Sequence, residues 1–145
     1  MAKANSYSAV YAIIKNDFWE ILFWRRKNTW FKDWFFRLPA WHIDDKELIK
    51  ESCIREMKEE LDIDILEDDL KIVHICHRIN KDKIYFDIYL EVKKYFWEIK
   101  INEPDKCSEL KFVDINNLLD DDFVNYDINC VKKSINLEFF SEIKL

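Results

Sequence analysis

The chain has 145 residues, of which 49% are hydrophobic and 36% are charged, and its formal net charge is −6. This length suits a single compact domain with its own core, and the acidic balance argues against a dedicated nucleic-acid binder, which carries a basic face. Because no apolar run approaches the roughly 18 residues that span a bilayer and the four cysteines form no CxxC pair, we expect a cytoplasmic protein with reduced thiols and no membrane partner.

The first predicted elements are two short strands. Alternating apolar residues predict strands over Tyr7–Ile14 and Glu20–Arg25, with a turn at Lys15–Phe18 between them. A polar and aromatic connection, Asn28–Trp34, leads to a short apolar run, Phe35–Leu38, which ends at Pro39. These residues predict the beginning of a sheet.

The clearest helix is Glu47–Leu61, because its apolar residues recur at spacings of one, three and four. The stripe that they define consists of Leu48, Ile49, Ser52, Cys53, Met57 and Leu61. Asp44 or Asp45 is placed to cap the start of this helix. The later elements are strands at Lys71–Cys76, Lys83–Val92 and Leu110–Val113 and a helix at Asp127–Leu137. Strands on both sides of a strong helix predict a single α/β domain, residues 1–145, in which a mixed sheet lies between helices.

Three glutamates share one face of the first helix. Glu56, Glu59 and Glu60 fall at i, i+3 and i+4, where side chains are neighbours and like charges cost a few tenths of a kcal/mol per pair. A hard divalent cation with oxygen ligands would offset that cost, and such a cation also promotes attack on phosphates. Composition alone favours a different interpretation, a solvated face of glutamates and lysines. The spacing of the whole segment, with Glu47 two turns before Arg55, favours a metal site.

Residues 41–63 resemble the Nudix box, Gly-x5-Glu-x7-Arg-Glu-U-x-Glu-Glu-x-Gly-U, in which U is apolar. The residues in register are Glu47, Arg55, Glu56, Met57, Glu59, Glu60 and Ile63. Leu38-Pro39 looks like the usual lead-in, and the stretch from His77 to Leu110 looks like a bacterial branch of the family. The resemblance implies a Nudix-type α/β/α sandwich with a mixed β-sheet, which hydrolyses a nucleoside diphosphate linked to another group.

The resemblance also implies roles for individual residues. The groups that match metal ligands are the carboxylates of Glu56, Glu59 and Glu60 and the backbone carbonyl of Ala40. The implied cofactor is Mg²⁺, for which Mn²⁺ can substitute. Glu47 and Arg55 match the residues that orient the helix, and the base is one of the helix glutamates or a carboxylate from elsewhere. Outside the box, Asp87 and Glu103 are further candidates for a metal ligand or a substrate contact.

Both glycine positions of the box differ here, since they hold Trp41 and Asp62. The chain has no glycine at all, against a usual share near 7%, and it has six tryptophans, Trp19, Trp24, Trp30, Trp34, Trp41 and Trp97. Most of them stand where a turn or loop favours glycine, although Trp24 lies in a predicted strand. Two explanations remain open: a glycine-poor protein with aromatic loops, or a gene in which UGA encodes glycine and has been translated as tryptophan. The coding DNA distinguishes them, because six UGG codons would exclude recoding.

Other clusters suggest simpler roles. His74 and Cys76 would share one strand face and His77 the other, which is poor geometry for a zinc site that needs four convergent ligands. The acidic run 120–122 indicates solvated surface. The aromatic residues Trp30, Phe31, Phe35 and Phe36 suggest core packing, or stacking on a nucleobase. Cys107 suggests packing and not nucleophilic chemistry.

Three functions follow from these residues. The first is a magnesium-dependent pyrophosphohydrolase acting on (d)NTPs. The second is the same hydrolysis acting on ADP-ribose, a nucleotide sugar or a dinucleoside polyphosphate. The box residues do not distinguish these substrates, because the group linked to the nucleoside diphosphate is recognised by residues outside the box. The third is a domain that binds nucleotide without cutting it. In each case the partner is a nucleotide, and monomer and homodimer both remain open.

Overall fold

The computed structural model describes residues 2–28, 33–118 and 122–145. Its elements, in chain order, are β1 (Ser6–Ile14), β2 (Ile21–Arg26), β3 (Phe36–Arg37), β4 (Ala40–His42), α1 (Ile49–Leu61), β5 (Leu70–Asn80), β6 (Lys83–Val92), β7 (Cys107–Val113), α2 (Asn125–Ile135) and β8 (Phe140–Lys144). Short 3-10 turns at Glu67–Asp69 and Ile115–Asn117 precede β5 and α2. In the described ranges, no helix is long and apolar enough to cross a membrane.

Five strands form a mixed sheet in the order β4-β1-β6-β5-β8, and three more form the sheet β3-β2-β7. β1 runs parallel to β6, and β8 parallel to β5, whereas β4 and β1, and β5 and β6, pair antiparallel. Residues 9–14 of β1 are buried on both faces, as expected of a central strand covered on both sides.

The faces of β1 divide the core in two. Val10, Ala12 and Ile14 pack in one cluster with the buried stripe of α1, and Tyr11 and Ile13 pack in another with α2. A helix therefore covers each face of the mixed sheet. This confirms the predicted α/β/α sandwich.

Helix α1 begins at Ile49, two residues later than predicted. The backbone N–H of Glu47 donates to the carbonyl of Asp44 at 3.1 Å, which closes a separate turn before the helix. The prediction that Asp44 or Asp45 caps α1 is wrong: the residue at the cap position is Leu48, whose backbone N–H donates to the Glu51 carboxylate at 3.0 Å. Leu48 is 68% exposed, so it does not belong to the buried stripe.

Four other boundaries differ from the predictions by two residues or more. β5 continues past Cys76 to Asn80 because it pairs with β6 along its whole length, and β7 begins at Cys107 because it pairs with β2 from Arg26 onward. α2 begins and ends two residues earlier than predicted. β4 and β8 were not predicted; they are only three and five residues long.

Three tryptophans adopt left-handed backbone conformations. The φ angles of Trp19, Trp34 and Trp97 are 63°, 70° and 80°, in the region that favours glycine. Asp62, at the second glycine of the box, also has a φ of 57°. By contrast, Trp41 lies in β4 and has no positive φ, so its backbone does not need a glycine at this position. Trp24 is likewise buried in a strand, and Trp30 lies outside the described residues.

Candidate active site

Arg55 holds the acidic face of α1 together. Its guanidinium binds Glu47 through two hydrogen bonds of 2.7 and 2.9 Å, so the predicted ion pair is present. It also donates to Glu56 at 2.9 Å and to Glu59 at 3.2 Å, and Asp44 lies at 3.2 Å. One cation therefore partly neutralises the like-charged glutamates. It also joins α1 to the loop that precedes it.

Burial distinguishes the two glutamates that Arg55 binds. The side chain of Glu56 is 18% exposed and that of Glu59 is 54% exposed. Burial raises the pKa of Glu56, and Arg55 opposes that shift. Glu56 thus faces inward, while Glu59 is open to an incoming ligand.

Glu60 lies beside Glu103, which sequence analysis singled out from outside the box. Backbone hydrogen bonds from Asn102 to Glu60 and from Lys100 to Leu61, both 3.0 Å, fix this segment against the end of α1. Burial raises the pKa of Glu60 to about 7; Arg26, 3.4 Å away, opposes the shift, and a hydrogen bond with Glu103 adds to it. The two carboxylates share a partly buried space.

This donor set fits a hard divalent cation. Glu56, Glu59, Glu60 and Glu103 offer only carboxylate oxygens, the ligands that magnesium prefers. Within the described ranges, Oε2 of Glu103 makes no hydrogen bond, and the ammonium of Lys106 lies 3.7 Å from it. In the described residues, no three His, Cys, Asp or Glu side chains are grouped closely enough to hold a metal ion. The glutamates are drawn apart because Arg55 binds Glu56 and Glu59, whereas Arg26 lies beside Glu60.

β4 brings Ala40 beside the helix. Ala40 pairs with Tyr11 of β1, and the neighbouring Trp41 donates from its indole nitrogen to the hydroxyl of Ser52 in α1 at 2.9 Å. This bond ties β4 to α1. Ala40 was a candidate ligand only because it matches a position of the family motif. In the structure it lines a cleft.

The cleft beside α1 has a volume of about 380 Å³ and combines cationic and aromatic side chains. Its cationic residues are Arg26, Arg37, Arg78 and Lys83, and its aromatic residues are Tyr11, Trp24, Trp41, His42 and Tyr85. Tyr85 lies against the guanidinium of Arg78, 4.0 Å from the ring centroid. Such a cleft can hold an anionic ligand that carries a planar group.

Buried ion pairs form the floor of this cleft. Asp87 is fully buried, binds Arg78 at 2.6 and 3.1 Å, and accepts a hydrogen bond from the Tyr11 hydroxyl at 3.2 Å. Both carboxylate oxygens of Asp87 therefore accept hydrogen bonds, and it is its partner Arg78 that lines the cleft. Asp127 accepts from the backbone N–H of Leu38 at 3.0 Å and lies 3.7 Å from Arg37. Burial raises the pKa of Asp127 to about 6, and Arg37 opposes the shift.

Sequence analysis missed the cationic cleft residues because they come from four different strands. Arg26, Arg37, Arg78 and Lys83 belong to β2, β3, β5 and β6, so no local spacing joins them. One signal was available: continuing the alternation of His74 and Cys76 by one step places Arg78 on the same buried face.

Most of the simpler interpretations of other clusters agree with the structure. His74 is buried, with its ring nitrogens 2.7 Å from the Glu138 carbonyl and the Ser141 hydroxyl, while His77 stacks on Phe86 on the other face. Phe36 is in the core, whereas Phe35 is 39% exposed, so core packing is wrong for Phe35. Cys107 is buried. Of the acidic run, Asp122 is exposed, 3.7 Å from Arg25. Asp120, Asp121, Trp30 and Phe31 lie outside the described residues.

Comparison with known proteins assigns the fold. A family model described as the NUDIX domain matches residues 6–133. A MutT protein from Methanosarcina mazei Go1 is similar in structure, with a TM-score of 0.79 and 20% identity over 94% of this chain and 97% of that one. A MutT NUDIX hydrolase from Burkholderia pseudomallei has a TM-score of 0.77 and 18% identity over 89% of this chain and 98% of that one. The NUDIX domain of Shewanella oneidensis NrtR, complexed with ADP ribose, has a TM-score of 0.72 and 13% identity over 92% of this chain and 89% of that one. A search of curated proteins gives no match.

Proposed function

The chain belongs to the NUDIX family, and from this premise we propose that it is a magnesium-dependent hydrolase that cleaves a pyrophosphate bond of nucleoside triphosphates, (d)NTPs. The observation that carries the proposal is the acidic face of α1, organised by Arg55, beside a cleft lined by four cationic residues. The carboxylates would hold the cation and the cleft the nucleotide.

In this proposal the chain itself orients the reacting groups. Glu56, Glu59, Glu60 and the carbonyl of Ala40 hold Mg²⁺ or Mn²⁺, which when bound neutralises phosphate charge and acidifies water. Glu47 fixes Arg55, and Arg55 fixes the glutamates. The proton of the attacking water passes to a carboxylate, either one of the helix glutamates or Glu103. Arg26 and Lys83 in the cleft attract the phosphate chain.

The size of the cleft supports a compact substrate. Ligand pockets range from roughly 300 to 1,000 Å³, and a cleft of about 380 Å³ stands near the lower limit. A mononucleotide needs less space than a dinucleoside polyphosphate. Tyr85 and His42, whose rings stack with centroids 6.3 Å apart, offer an aromatic surface for a base.

A second candidate substrate is ADP-ribose or a nucleotide sugar. The NUDIX domain of NrtR, similar to this chain over 92% of its length, is complexed with ADP ribose. A domain that binds nucleotide without cutting it is the third candidate, and the departures at the two box glycines favour it. The retained Glu56, Glu59 and Glu60 favour an enzyme, because metal-binding carboxylates serve no evident purpose in a simple binder.

The test is product analysis with purified chain and Mg²⁺ on NTPs, dNTPs, ADP-ribose and nucleotide sugars. We expect pyrophosphate from a triphosphate, with release abolished by a chelator and by Glu59→Gln. The matched control is Glu67→Gln, which neutralises an exposed glutamate in the turn before β5 and should leave turnover unchanged. Faster cleavage of ADP-ribose than of any triphosphate would select the second candidate. Binding without turnover of any compound would select the third.

A further inference from the structure

A second cavity lies on the face of the mixed sheet opposite α1, between α2 and strands β5 and β8. Its volume is about 250 Å³, and it is open to solvent on one side. Cys76 of β5 and Cys130 of α2 both line it, together with Tyr126, Ser141 and the lysines Lys132 and Lys133. The acidic face of α1 is not part of it, so the proposed hydrolase mechanism leaves this cavity unused.

The two cysteines stand in the same wall of this cavity. Cys76 is 2% exposed and Cys130 is 4% exposed, and both belong to one buried cluster. Ser141, also in the wall, pairs with Cys76 in the register of β5 and β8. Tyr126 lines the cavity as well, and its buried hydroxyl has no hydrogen-bond partner among the residues that the structure describes.

The surroundings make the two sulfurs chemically unequal. The hydrogen bond from Cys130 lowers the pKa of Cys76 to about 7 against the opposing effect of burial, and Ser141 and Arg78 add to the lowering. The same bond, together with burial, raises the pKa of Cys130. These directions favour the thiolate, which is the reactive form of cysteine, at Cys76 over Cys130.

The other two cysteines provide an internal comparison. Cys53 and Cys107 are buried in the cluster that contains α1, and neither lines the cavity. Burial raises the pKa of Cys53 to about 12 and also raises that of Cys107. All four cysteines are free thiols, and all four are buried. Exposure alone therefore does not distinguish them.

We propose that Cys76 is a site of oxidation by hydrogen peroxide and that Cys130 completes a disulfide which links β5 to α2. The cavity admits a molecule of this size, and the unpartnered Tyr126 hydroxyl can hydrogen-bond it. The Cys76 thiolate attacks one peroxide oxygen and the O–O bond breaks; the hydroxide that leaves takes up a proton, which gives Cys76 sulfenic acid and water. The Cys130 sulfur then displaces the hydroxyl from Cys76, losing its own proton, and a second water leaves. Two thiols are oxidised and one peroxide is reduced to two waters.

The test is oxidation of the folded, reduced chain with hydrogen peroxide, followed by alkylation of the remaining thiols and peptide mapping by mass spectrometry. We expect a Cys76–Cys130 linked peptide, lighter by about 2 Da than the two reduced peptides and cleaved by dithiothreitol. Cys76 should react at least about tenfold faster than Cys53 or Cys107, because its thiolate fraction is far larger.

Two variants separate reactivity from damage to the fold. In Cys130→Ser, Cys76 should stop at the sulfenic acid, which dimedone traps; in Cys53→Ser, the disulfide should form as before. Oxidation of Cys76 no faster than that of Cys53 or Cys107 in the unmodified chain would overturn the proposal, as would a disulfide that pairs other cysteines. Both readouts are masses of peptides, so they hold whether or not the chain hydrolyses nucleotides.

Discussion

Replacing Trp34 by glycine should stabilise the protein, although it removes a large side chain. Trp34 has a φ of 70° and is 61% exposed, and its backbone N–H donates to the Arg26 carbonyl at 2.8 Å. Left-handed backbone costs an L-residue roughly 1–2 kcal/mol, while glycine adopts it freely but loses more entropy on folding. The net expectation is a gain of about 1 kcal/mol in the free energy of unfolding, or about 3 °C in Tm for a chain of this length.

The assay is urea and thermal unfolding of the parent chain, Trp34→Gly and Trp34→Ala. The alanine variant also loses the indole but keeps a Cβ, so the difference between the two variants isolates the backbone conformation. Trp24→Gly is the opposite case: Trp24 is 2% exposed in β2 without a positive φ, and losing its packing should cost about 3–5 kcal/mol. If Trp34→Gly is no more stable than Trp34→Ala, the argument from φ is refuted.

Three further predictions concern the site and the floor of the cleft. Glu47→Gln should lower kcat by roughly 10- to 100-fold, as loss of an orienting partner does. The reason is that Arg55 loses one of the carboxylates that it binds, and an unchanged kcat would contradict the orienting role of Glu47. Arg78→Lys should raise KM far more than it lowers kcat, since lysine keeps the charge but cannot make the forked contact with Asp87; steady-state kinetics checks this, and an unchanged KM would exclude Arg78 from substrate binding. Asp127 has a folded pKa of about 6 against an ordinary 3.8, so the folded state holds its proton more tightly. The free energy of unfolding therefore falls by about 3 kcal/mol from this group as the pH rises from about 3 to about 7. In Asp127→Asn that contribution is lost, and urea unfolding curves whose pH dependence parallels that of the parent would contradict the assignment.

Local spacing predicted the acidic helix well. Helical spacing placed Glu56, Glu59 and Glu60 on one side of α1. Glu47 lies in the separate turn before α1, so its pairing with Arg55 depends on how that turn packs against the helix and not on helical spacing alone. What spacing did not predict is that Arg55 holds two of these glutamates and Arg26, from β2, lies beside the third.

Features that depend on contacts distant in sequence were largely missed. β8 alternates between exposed and half-buried residues and has no strong apolar signal, and only its pairing with β5 reveals it. Asp87 was placed in the right strand, but its partners Arg78 and Tyr11 come from two other strands. The contact between Cys76 and Cys130 likewise required knowing how α2 packs on β5.

The placement of the tryptophans has a consequence for fluorescence. Trp19, Trp34 and Trp97 are 79%, 61% and 69% exposed, whereas Trp24 and Trp41 are buried and line the cleft. The exposed indoles emit at long wavelength in the folded and unfolded states alike, so they supply a constant background. Among the tryptophans that the structure describes, the two at the cleft should emit at shorter wavelength, and a nucleotide that enters the cleft should quench that emission selectively.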